Sequence, residues 1–197
     1  VFRTSGSRST RIGTAIGDKV LDLQACLGRS LLTGMPIGIL AACGEETLNV
    51  LMQRPDVERR ALRHRLSHLL RAEGAQVTAK PHAKEVLVSQ GEIRMALPAR
   101  IGDYTDFYAS IDHATNVGSM MRPDNPLLTN YKWVPIGYHG RSSSIVVSGT
   151  KVRRPSGQLD PMSPEKVPPF GSSKQLDYEL EMGIFVAEGN ELGVPVP

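Results

Sequence analysis

Apolar residues recur at helical spacing only in the first half of this sequence, and near residue 97 that pattern gives way to another. From Pro98 onward, Gly, Pro, Ser and Asn separate short extended runs. The 197-residue chain contains 19 Gly and 14 Pro, and such frequent breaks favour short strands and turns over a helical bundle. We therefore predict a mainly β, α+β fold with two domains, residues 1–97 and 98–197.

The rest of the composition is that of an ordinary soluble protein, with 40% hydrophobic and 22% charged residues. The net charge of +3 permits an anionic ligand and gives no indication of nucleic acid. We expect no membrane association, because no run reaches the roughly 18 apolar residues of a membrane span. The basic start also lacks the apolar core of a secretory signal. Cys26 and Cys43 lie in apolar surroundings, so we expect buried free thiols and a cytoplasmic protein.

The first domain is predicted to combine strands with helices. Its elements are a hairpin at residues 10–23 with a Gly-Asp turn, a buried irregular connection at 31–40, helices at 46–53 and 55–74, and a strand–turn–strand unit at 85–98. The second helix is expected to end at Gly74. Its core-facing stripe consists of Val57, Ala61, Leu62, Leu66, Leu69 and Leu70.

The opposite face of this second helix admits two ligand-binding interpretations. It carries arginines that a nucleic-acid site would use, but acidic residues share the segment and no aromatic residues interleave, so a solvated face is favoured. These arginines are Arg59, Arg60, Arg63, Arg65 and Arg71. His64 and His68 have the i, i+4 spacing of zinc ligands, but the hydrolytic motif requires Glu where Arg65 stands.

The second domain is predicted to contain short strands, of which residues 143–149 and 177–186 are the clearest. Residues 153–173 between them form a proline-rich loop that is long enough to suggest a function. Glu179 and Glu181 fall on one face of the later strand, and oxygen-only ligands suit Ca²⁺ or Mg²⁺. This pattern alone favours a solvent-facing strand over a metal site.

The segment "IGDYTDFYASIDHATNVG", residues 101–118, gathers acidic, aromatic and histidine side chains without a clear helical or strand period. Asp106 offers a third carboxylate, Tyr108 follows two residues later, and His113 carries a group that titrates near neutral pH. Carboxylates for a hard cation beside a histidine suit metal-assisted hydrolysis. A purely structural histidine is an equally good interpretation of the spacing.

A third cluster, "PIGYHGRSSSIVVSGT", begins at residue 135. Gly137 and Gly140 allow the backbone to approach a ligand closely, and Tyr138 offers a hydroxyl to a polar substrate group. Arg122, further upstream, can hold a carboxylate through two hydrogen bonds. A tight turn that leads into a strand is the alternative.

Three motifs together closely resemble the fumarylacetoacetate hydrolase family. They are "IGDYTDFYASIDHATNVGSMMRP", "PIGYHGRSSSIVVSGTKVRRPSGQ" and "QLDYELEMGIFVAEGN", in this order and spacing. The resemblance runs from about Arg11 to the end of the sequence. It implies a small SH3-like barrel with helices over residues 1–97, and over residues 98–197 the beginning of a mixed β-roll or β-sandwich catalytic domain.

The resemblance also implies an activity. This is metal-dependent hydrolysis of the carbon–carbon bond of 4-fumarylacetoacetate to fumarate and acetoacetate, the last step of tyrosine and phenylalanine catabolism. The implied cofactor is Ca²⁺ or Mg²⁺, the substrate a diketo acid, and the full-length protein a homodimer. The implied roles are metal binding by Asp106, Glu179 and Glu181, water activation by His113, and substrate binding by Tyr108, Arg122 and Tyr138.

The sequence departs from the family pattern at three points. Met121 stands where Phe is usual, and Asp112 stands where a non-acidic residue is usual. In the family, a further metal-binding Asp, a Lys, a Gln and a Glu that orients the histidine lie downstream, and their motifs do not occur here. We therefore expect an incomplete catalytic domain, with open strand edges that favour association. A non-catalytic, truncated member that acts as a binding or assembly module is the alternative.

Overall fold

A computed structural model describes residues 1–72, 82–161 and 166–195. The chain divides into two compact units, Val1–Pro98 with Val147–Pro197, and Ala99–Val146. The described residues combine helices with four small sheets of two or three strands. None of the helices in these ranges is both long and apolar enough to cross a membrane.

Two small antiparallel sheets belong to the first unit before residue 98. Their strands are β1 (Phe2–Thr4), β2 (Gly13–Ile16), β3 (Lys19–Asp22), β4 (Leu87–Ser89) and β5 (Ile93–Met95). Strands β2 and β3 confirm the predicted hairpin, and Gly17 in its turn has a φ of 55°, which glycine adopts without strain. The predicted strand–turn–strand unit is also present, but β4 pairs with β3 while β5 pairs with β1. These described strands form no closed barrel.

Five α-helices, and a 3-10 helix at Gln90–Glu92, accompany these sheets in the described part of the first unit. The α-helices are α1 (Leu23–Gly28), α2 (Ile37–Cys43), α3 (Asn49–Met52), α4 (Asp56–Leu70) and α5 (Ala83–Val86). Helix α3 confirms a helix within residues 46–53, although it is shorter than predicted. The predicted irregular connection at residues 31–40 is wrong in its last part, where α2 begins. Pro36 stands just before this helix, where its missing N–H removes no helical hydrogen bond.

Helix α4 confirms the predicted long helix, but the predicted end at Gly74 is wrong, because the helix ends at Leu70 and Arg71 is already extended. Leu62, Leu66 and Leu69 are buried, as the stripe predicts. Val57 is wrongly assigned to this stripe, because its side chain is 74% exposed. At about 100° per residue, Val57 lies roughly 140° away from Leu62 around the helix axis.

The core of the first unit collects apolar side chains from β3 and from all the longer helices. Its buried members are Ile12, Leu21, Leu23, Cys26, Leu32, Ile39, Cys43, Leu62, Leu66, Leu69 and Val86. Both cysteines are buried free thiols, which confirms that prediction. Burial raises the pKa of Cys26 to about 12 and that of Cys43 to about 11, so both thiols are neutral at physiological pH.

The second unit contains two short strands and one helix. Strand β6 (Thr105–Phe107) pairs in antiparallel fashion with β7 (Gly137–His139), and α6 (Ile111–Met121) lies between them in the chain. The sequence predicts no helix here, so α6 is a correction. Ser110 is the signal, because its side chain accepts a hydrogen bond from the His113 N–H at the helix start.

Three predictions downstream of residue 140 are wrong. Residues 142–144 form a 3-10 turn and 143–149 contain no strand, and residues 177–186 contain none either. The predicted loop at 153–173 instead contains β8 (Ser156–Gln158) and β9 (Phe170–Ser172), which pair with each other. Period-two alternation shows which side chains would share a face, whereas a strand also requires a neighbour for its backbone hydrogen bonds.

Candidate active site

The Asp106 carboxylate in the second unit accepts three hydrogen bonds. Asp106 and Tyr138 face each other across the β6–β7 pair, and the Tyr138 hydroxyl donates to Asp106 Oδ2 at 2.9 Å. Tyr104, two residues before Asp106, donates its hydroxyl to the same oxygen at 3.0 Å. The Phe107 N–H donates to Oδ1 at 2.7 Å. Two side chains and the backbone thus fix the orientation of this carboxylate.

These hydrogen bonds keep Asp106 charged. The Tyr138 hydroxyl lowers the pKa of this carboxyl the most, partial burial opposes that effect, and the Tyr104 hydroxyl and Phe107 N–H lower it further. A carboxylate offers roughly four acceptor positions, and three of those positions on Asp106 accept hydrogen bonds. A charged, oriented oxygen donor of this kind fits a hard divalent cation.

His113 and Tyr108 lie together at the start of α6. Their rings meet edge to face, with centroids 5.8 Å apart and planes at 85°. The Tyr108 N–H donates to the Ile136 carbonyl at 2.9 Å, and the Tyr108 hydroxyl donates to the Ala114 carbonyl at 3.3 Å. The His113 ring is half-buried, while the neighbouring Asp112 is exposed.

Tyr131 is a further member of this aromatic group. Its ring meets Tyr108 edge to face as well, with a centroid separation of 5.7 Å and an interplanar angle of 85°. The Tyr131 hydroxyl oxygen is buried and finds no hydrogen-bond partner in the described part of the chain. Two edge contacts therefore hold the Tyr108 ring, one from His113 and one from Tyr131.

Gly137 and Gly140 accommodate aromatic rings of the protein itself. A Cβ at Gly140 would overlap the Tyr104 ring, and the Gly140 N–H donates to the Tyr104 carbonyl at 2.8 Å. A Cβ at Gly137 would lie 2.9 Å from Phe107 Cε1. The group that lies close to each of these glycines is a neighbouring ring of the protein, and the predicted approach of a ligand stays a prediction.

Arg122 is held by the loop that follows α6. Its N–H donates to the Gly118 carbonyl at 2.6 Å, and its guanidinium donates to the Pro126 carbonyl at 3.2 Å. The Pro126 backbone lies where a Cβ on Gly118 would be. Arg122 itself is exposed. Its hydrogen bonds to Gly118 and Pro126, and the close contact of Pro126 with Gly118, fix the position of the loop after α6.

Glu179 and Glu181 belong to the first unit, whereas Asp106 belongs to the second. Both glutamates are exposed in a segment without a strand, so the argument that a strand directs them to one side does not hold. Among the described residues, no three His, Cys, Asp or Glu side chains form a group that could hold a metal ion. Their grouping with Asp106 stays a prediction.

Of the arginines on this face of α4, Arg59 and Arg60 make local contacts with Asp56, whereas the half-buried Arg65 contacts a residue 34 positions away. Arg60 pairs with Asp56 at 2.6 Å, and Arg65 donates two hydrogen bonds to the Leu31 carbonyl at 2.7 and 2.9 Å. Arg59 also lies 3.5 Å from Asp56. The absence of nucleic-acid binding stays a prediction.

The sequence pattern singles out Asp106, Tyr108, His113 and Tyr138, and it does not single out Tyr104 and Tyr131, which the structure places in contact with them. The i, i+2 spacing of Tyr104 and Asp106 is a usable signal, because alternate residues of an extended chain share a side. Tyr131 carries no such signal. Its contact with Tyr108 depends on a turn in which the Tyr131 N–H donates to the Leu128 carbonyl at 3.0 Å.

Comparison with known proteins identifies the family. The Fumarylacetoacetase N-terminal family matches residues 1–98, and the Fumarylacetoacetate (FAA) hydrolase C-terminal family matches residues 103–191. The chain is 46% identical over 200 residues to a fumarylacetoacetase of Rattus norvegicus and 44% identical over 200 residues to one of Homo sapiens. One from Dictyostelium discoideum is 42% identical over 199 residues.

All of this chain takes part in these three alignments, which cover 47%, 47% and 46% of the respective relatives. The chain belongs to the fumarylacetoacetate hydrolase family. It spans about half the length of the curated relatives that it matches.

Proposed function

We propose that this chain contributes to a metal-dependent hydrolase that cleaves the carbon–carbon bond of 4-fumarylacetoacetate, giving fumarate and acetoacetate in the last step of tyrosine and phenylalanine catabolism. The name fumarylacetoacetase of its relatives supports the reaction. The observation that carries the proposal is the charged Asp106 carboxylate, which two tyrosine hydroxyls orient within the same unit as the Tyr108–His113 pair. A fixed carboxylate and a half-buried imidazole are the groups that metal-assisted hydrolysis requires.

Asp106, Glu179 and Glu181 would hold the metal, Ca²⁺ or Mg²⁺. Its chemistry, when bound, is to polarise a carbonyl oxygen of the substrate. The donor set supports a hard cation, because all three side chains offer carboxylate oxygens.

The side chains of the second unit supply the remaining chemistry. One imidazole nitrogen of His113 accepts a proton from water, and the water oxygen adds to the substrate carbonyl carbon. The carbon–carbon bond then breaks, fumarate is released, and the departing enolate takes up a proton to become acetoacetate. Throughout, Tyr108 keeps the imidazole in place through their edge contact.

Substrate binding falls to Tyr108, Arg122 and Tyr138 in this proposal. The Tyr108 hydroxyl donates to a substrate oxygen in exchange for its bond to the Ala114 carbonyl. The exposed Arg122 guanidinium pairs with a substrate carboxylate, which it can do through two parallel hydrogen bonds. The Tyr138 hydroxyl donates to a substrate oxygen, for which it must exchange its bond to Asp106. The proposed substrate is a diketo acid, and the proposed assembly is a homodimer in the cytoplasm. The proposed domains are an SH3-like N-terminal domain over residues 1–97 and a β-roll domain that begins at residue 98.

Hydrolysis of 4-fumarylacetoacetate tests this function. The assay uses the 197-residue chain and the product of its complete reading frame, each with Mg²⁺ or Ca²⁺ and again with a chelator. Turnover is expected to require metal and to fall at least about 100-fold in His113→Ala, the usual contribution of a general base. His64→Ala is the matched control, because His64 is an exposed histidine of α4.

Metal-independent turnover, or a His113→Ala variant as active as His64→Ala, would contradict the proposal. No turnover by the product of the complete reading frame would also contradict it. That result would favour the alternative of a binding or assembly module.

A further inference from the structure

The Tyr131 hydroxyl is buried in a place where the mechanism gives it no role. A buried hydroxyl without a hydrogen-bond partner costs free energy, and none of the described residues provides that partner. Since the oxygen is inaccessible to solvent, it is also inaccessible to a bound ligand in this conformation. What Tyr131 contributes must therefore come from its ring.

The segment around Tyr131 is itself fixed by backbone hydrogen bonds. The Tyr131 N–H donates to Leu128, and the Asn130 carbonyl accepts from the N–H groups of Trp133 and Val134 at 2.9 and 3.0 Å. These bonds set the position of the Tyr131 backbone on both sides of the residue. The ring is thus presented to Tyr108 by an ordered turn.

Tyr108 is the residue that receives this contact. Its backbone and hydroxyl are bonded to Ile136 and Ala114, and its ring lies in edge contact with both Tyr131 and His113. If the Tyr131 ring were removed, the Tyr108 ring would lose one of its two aromatic neighbours. The imidazole that rests on Tyr108 would then lose part of its restraint.

We propose that Tyr131 is a positioning residue, whose ring holds Tyr108 and through it fixes the orientation of the His113 imidazole. The hydroxyl of Tyr131 takes no part in this role. The consequence for catalysis rests on the proposed function, whereas the positioning itself does not.

The first test requires no substrate and no mutation. In NMR spectra of the 197-residue chain, nuclear Overhauser contacts are expected between the ring protons of Tyr131 and Tyr108, and between those of Tyr108 and His113. The absence of either contact in the folded chain would overturn the proposal.

Two substitutions then separate the ring from the hydroxyl. Tyr131→Phe keeps the ring, so the His113 ring-proton shifts should stay as in the parent chain. Tyr131→Leu removes the aromatic edge and should shift or broaden the His113 and Tyr108 ring signals. Tyr178→Leu, at a 93% exposed position of the other unit, is the matched control and should change neither.

Two results would contradict the assignment of the role to the ring. One is a Leu variant whose His113 signals match the parent chain. The other is a Phe variant that disturbs them as much as Leu does, since the hydroxyl would then carry the effect.

Turnover by the product of the complete reading frame provides a second, separate measurement. The loss of one aromatic edge contact corresponds to a change of about 2- to 12-fold in an equilibrium or rate constant. Tyr131→Leu should therefore lower kcat/KM by about that factor. The kcat/KM of Tyr131→Phe should equal that of the parent protein. No turnover in any variant would count against the proposed function alone, because the NMR contacts decide the positioning.

Discussion

Residues 1–98 and the Ala99–Val146 unit are stabilised in different ways. The first region buries a continuous apolar cluster that includes Leu21, Ile39 and Leu69, each 0% exposed. The second unit, which the structure describes completely, buries Ala99, Ala114 and Gly118 and leaves Trp133 83% exposed. Individual contacts hold this unit together. Tyrosine hydroxyls donate to Asp106, the His113 ring contacts the Tyr108 ring, and the Pro126 backbone lies against Gly118.

This difference indicates a division of labour. A packed core gives stability that is shared among many apolar contacts, whereas a chemical site needs a few polar groups in fixed positions. The two regions should therefore respond to different kinds of substitution. Loss of volume should matter in the first, and loss of a hydroxyl or addition of a methyl group in the second.

The largest expected effect is in the core. Leu69→Ala should lower the free energy of unfolding by about 2–5 kcal/mol, because it leaves a cavity among fully buried side chains. Leu128→Ala, at a 48% exposed position of the second unit, should cost less than about 1.5 kcal/mol. Urea denaturation measures both, and equal losses would remove the contrast between the two regions.

The next effect concerns Gly118. Alanine normally stabilises a helix interior by about 1 kcal/mol relative to glycine. Gly118→Ala should instead destabilise the second unit by about 1–3 kcal/mol, because its methyl group meets the Pro126 backbone.

Gly102→Ala is the control for Gly118→Ala, since no atom beyond its own residue and its two chain neighbours lies within 4 Å of a Cβ built at that position. Thermal unfolding compares the two variants. If Gly118→Ala stabilised the protein, the loop would not lie against α6 as described.

A smaller effect is expected on the titration of Asp106. Its native pKa lies below the ordinary value of 3.8, so the charged form contributes stability that is present above the unfolded pKa. That contribution is lost as the pH falls through the native pKa. Tyr138→Phe should raise the pKa more than Tyr104→Phe does, because the Tyr138 bond has the larger influence.

Carbon NMR of the Asp106 carboxyl group measures these pKa changes. Tyr131→Phe is the control, since its hydroxyl has no partner among the described residues and the Asp106 pKa should stay unchanged. Equal pKa values in all three variants and the parent chain would show that the tyrosine hydroxyls do not act on Asp106.

The smallest effect near neutral pH belongs to the two cysteines. Their native pKa values of about 12 and about 11 exceed the ordinary 9.0, so the buried thiols favour folding at pH values below 9.0. This contribution is lost as the pH rises toward 11 to 12. At pH 8 the folded chain should resist a thiol reagent that labels both cysteines in denaturant, and rapid labelling of the folded chain would contradict the described core.

Much of the first region could be predicted from the sequence. The hairpin at residues 10–23 and helix α4 follow from local rules, because turn chemistry and apolar periodicity act over a few neighbouring residues. The start of α2 after Pro36 shows the limit of these rules, since a proline that breaks a helix interior is compatible with a helix start.

The candidate site could be predicted only in part. Its residue types indicated Asp106, His113 and Tyr138, but the second hydroxyl on Asp106 comes from Tyr104, whose role depends on the local β geometry. Tyr131 reaches Tyr108 over 23 positions of sequence through a turn that no periodic pattern announces. Residues 177–186 alternate like a strand, yet alternation contains no information about a pairing neighbour.

The most direct test of the account is a calorimetric titration of the 197-residue chain with Ca²⁺ and with Mg²⁺. The oriented, charged Asp106 carboxylate predicts that the parent chain binds at least one of these ions and that Asp106→Asn weakens the affinity about 10-fold or more, or about 1.4 kcal/mol. Asp103→Asn, which alters an exposed carboxylate of the same unit, should bind as the parent chain does. No binding by the folded parent chain, or equal affinity in Asp106→Asn, would contradict the assignment of Asp106 as a metal ligand.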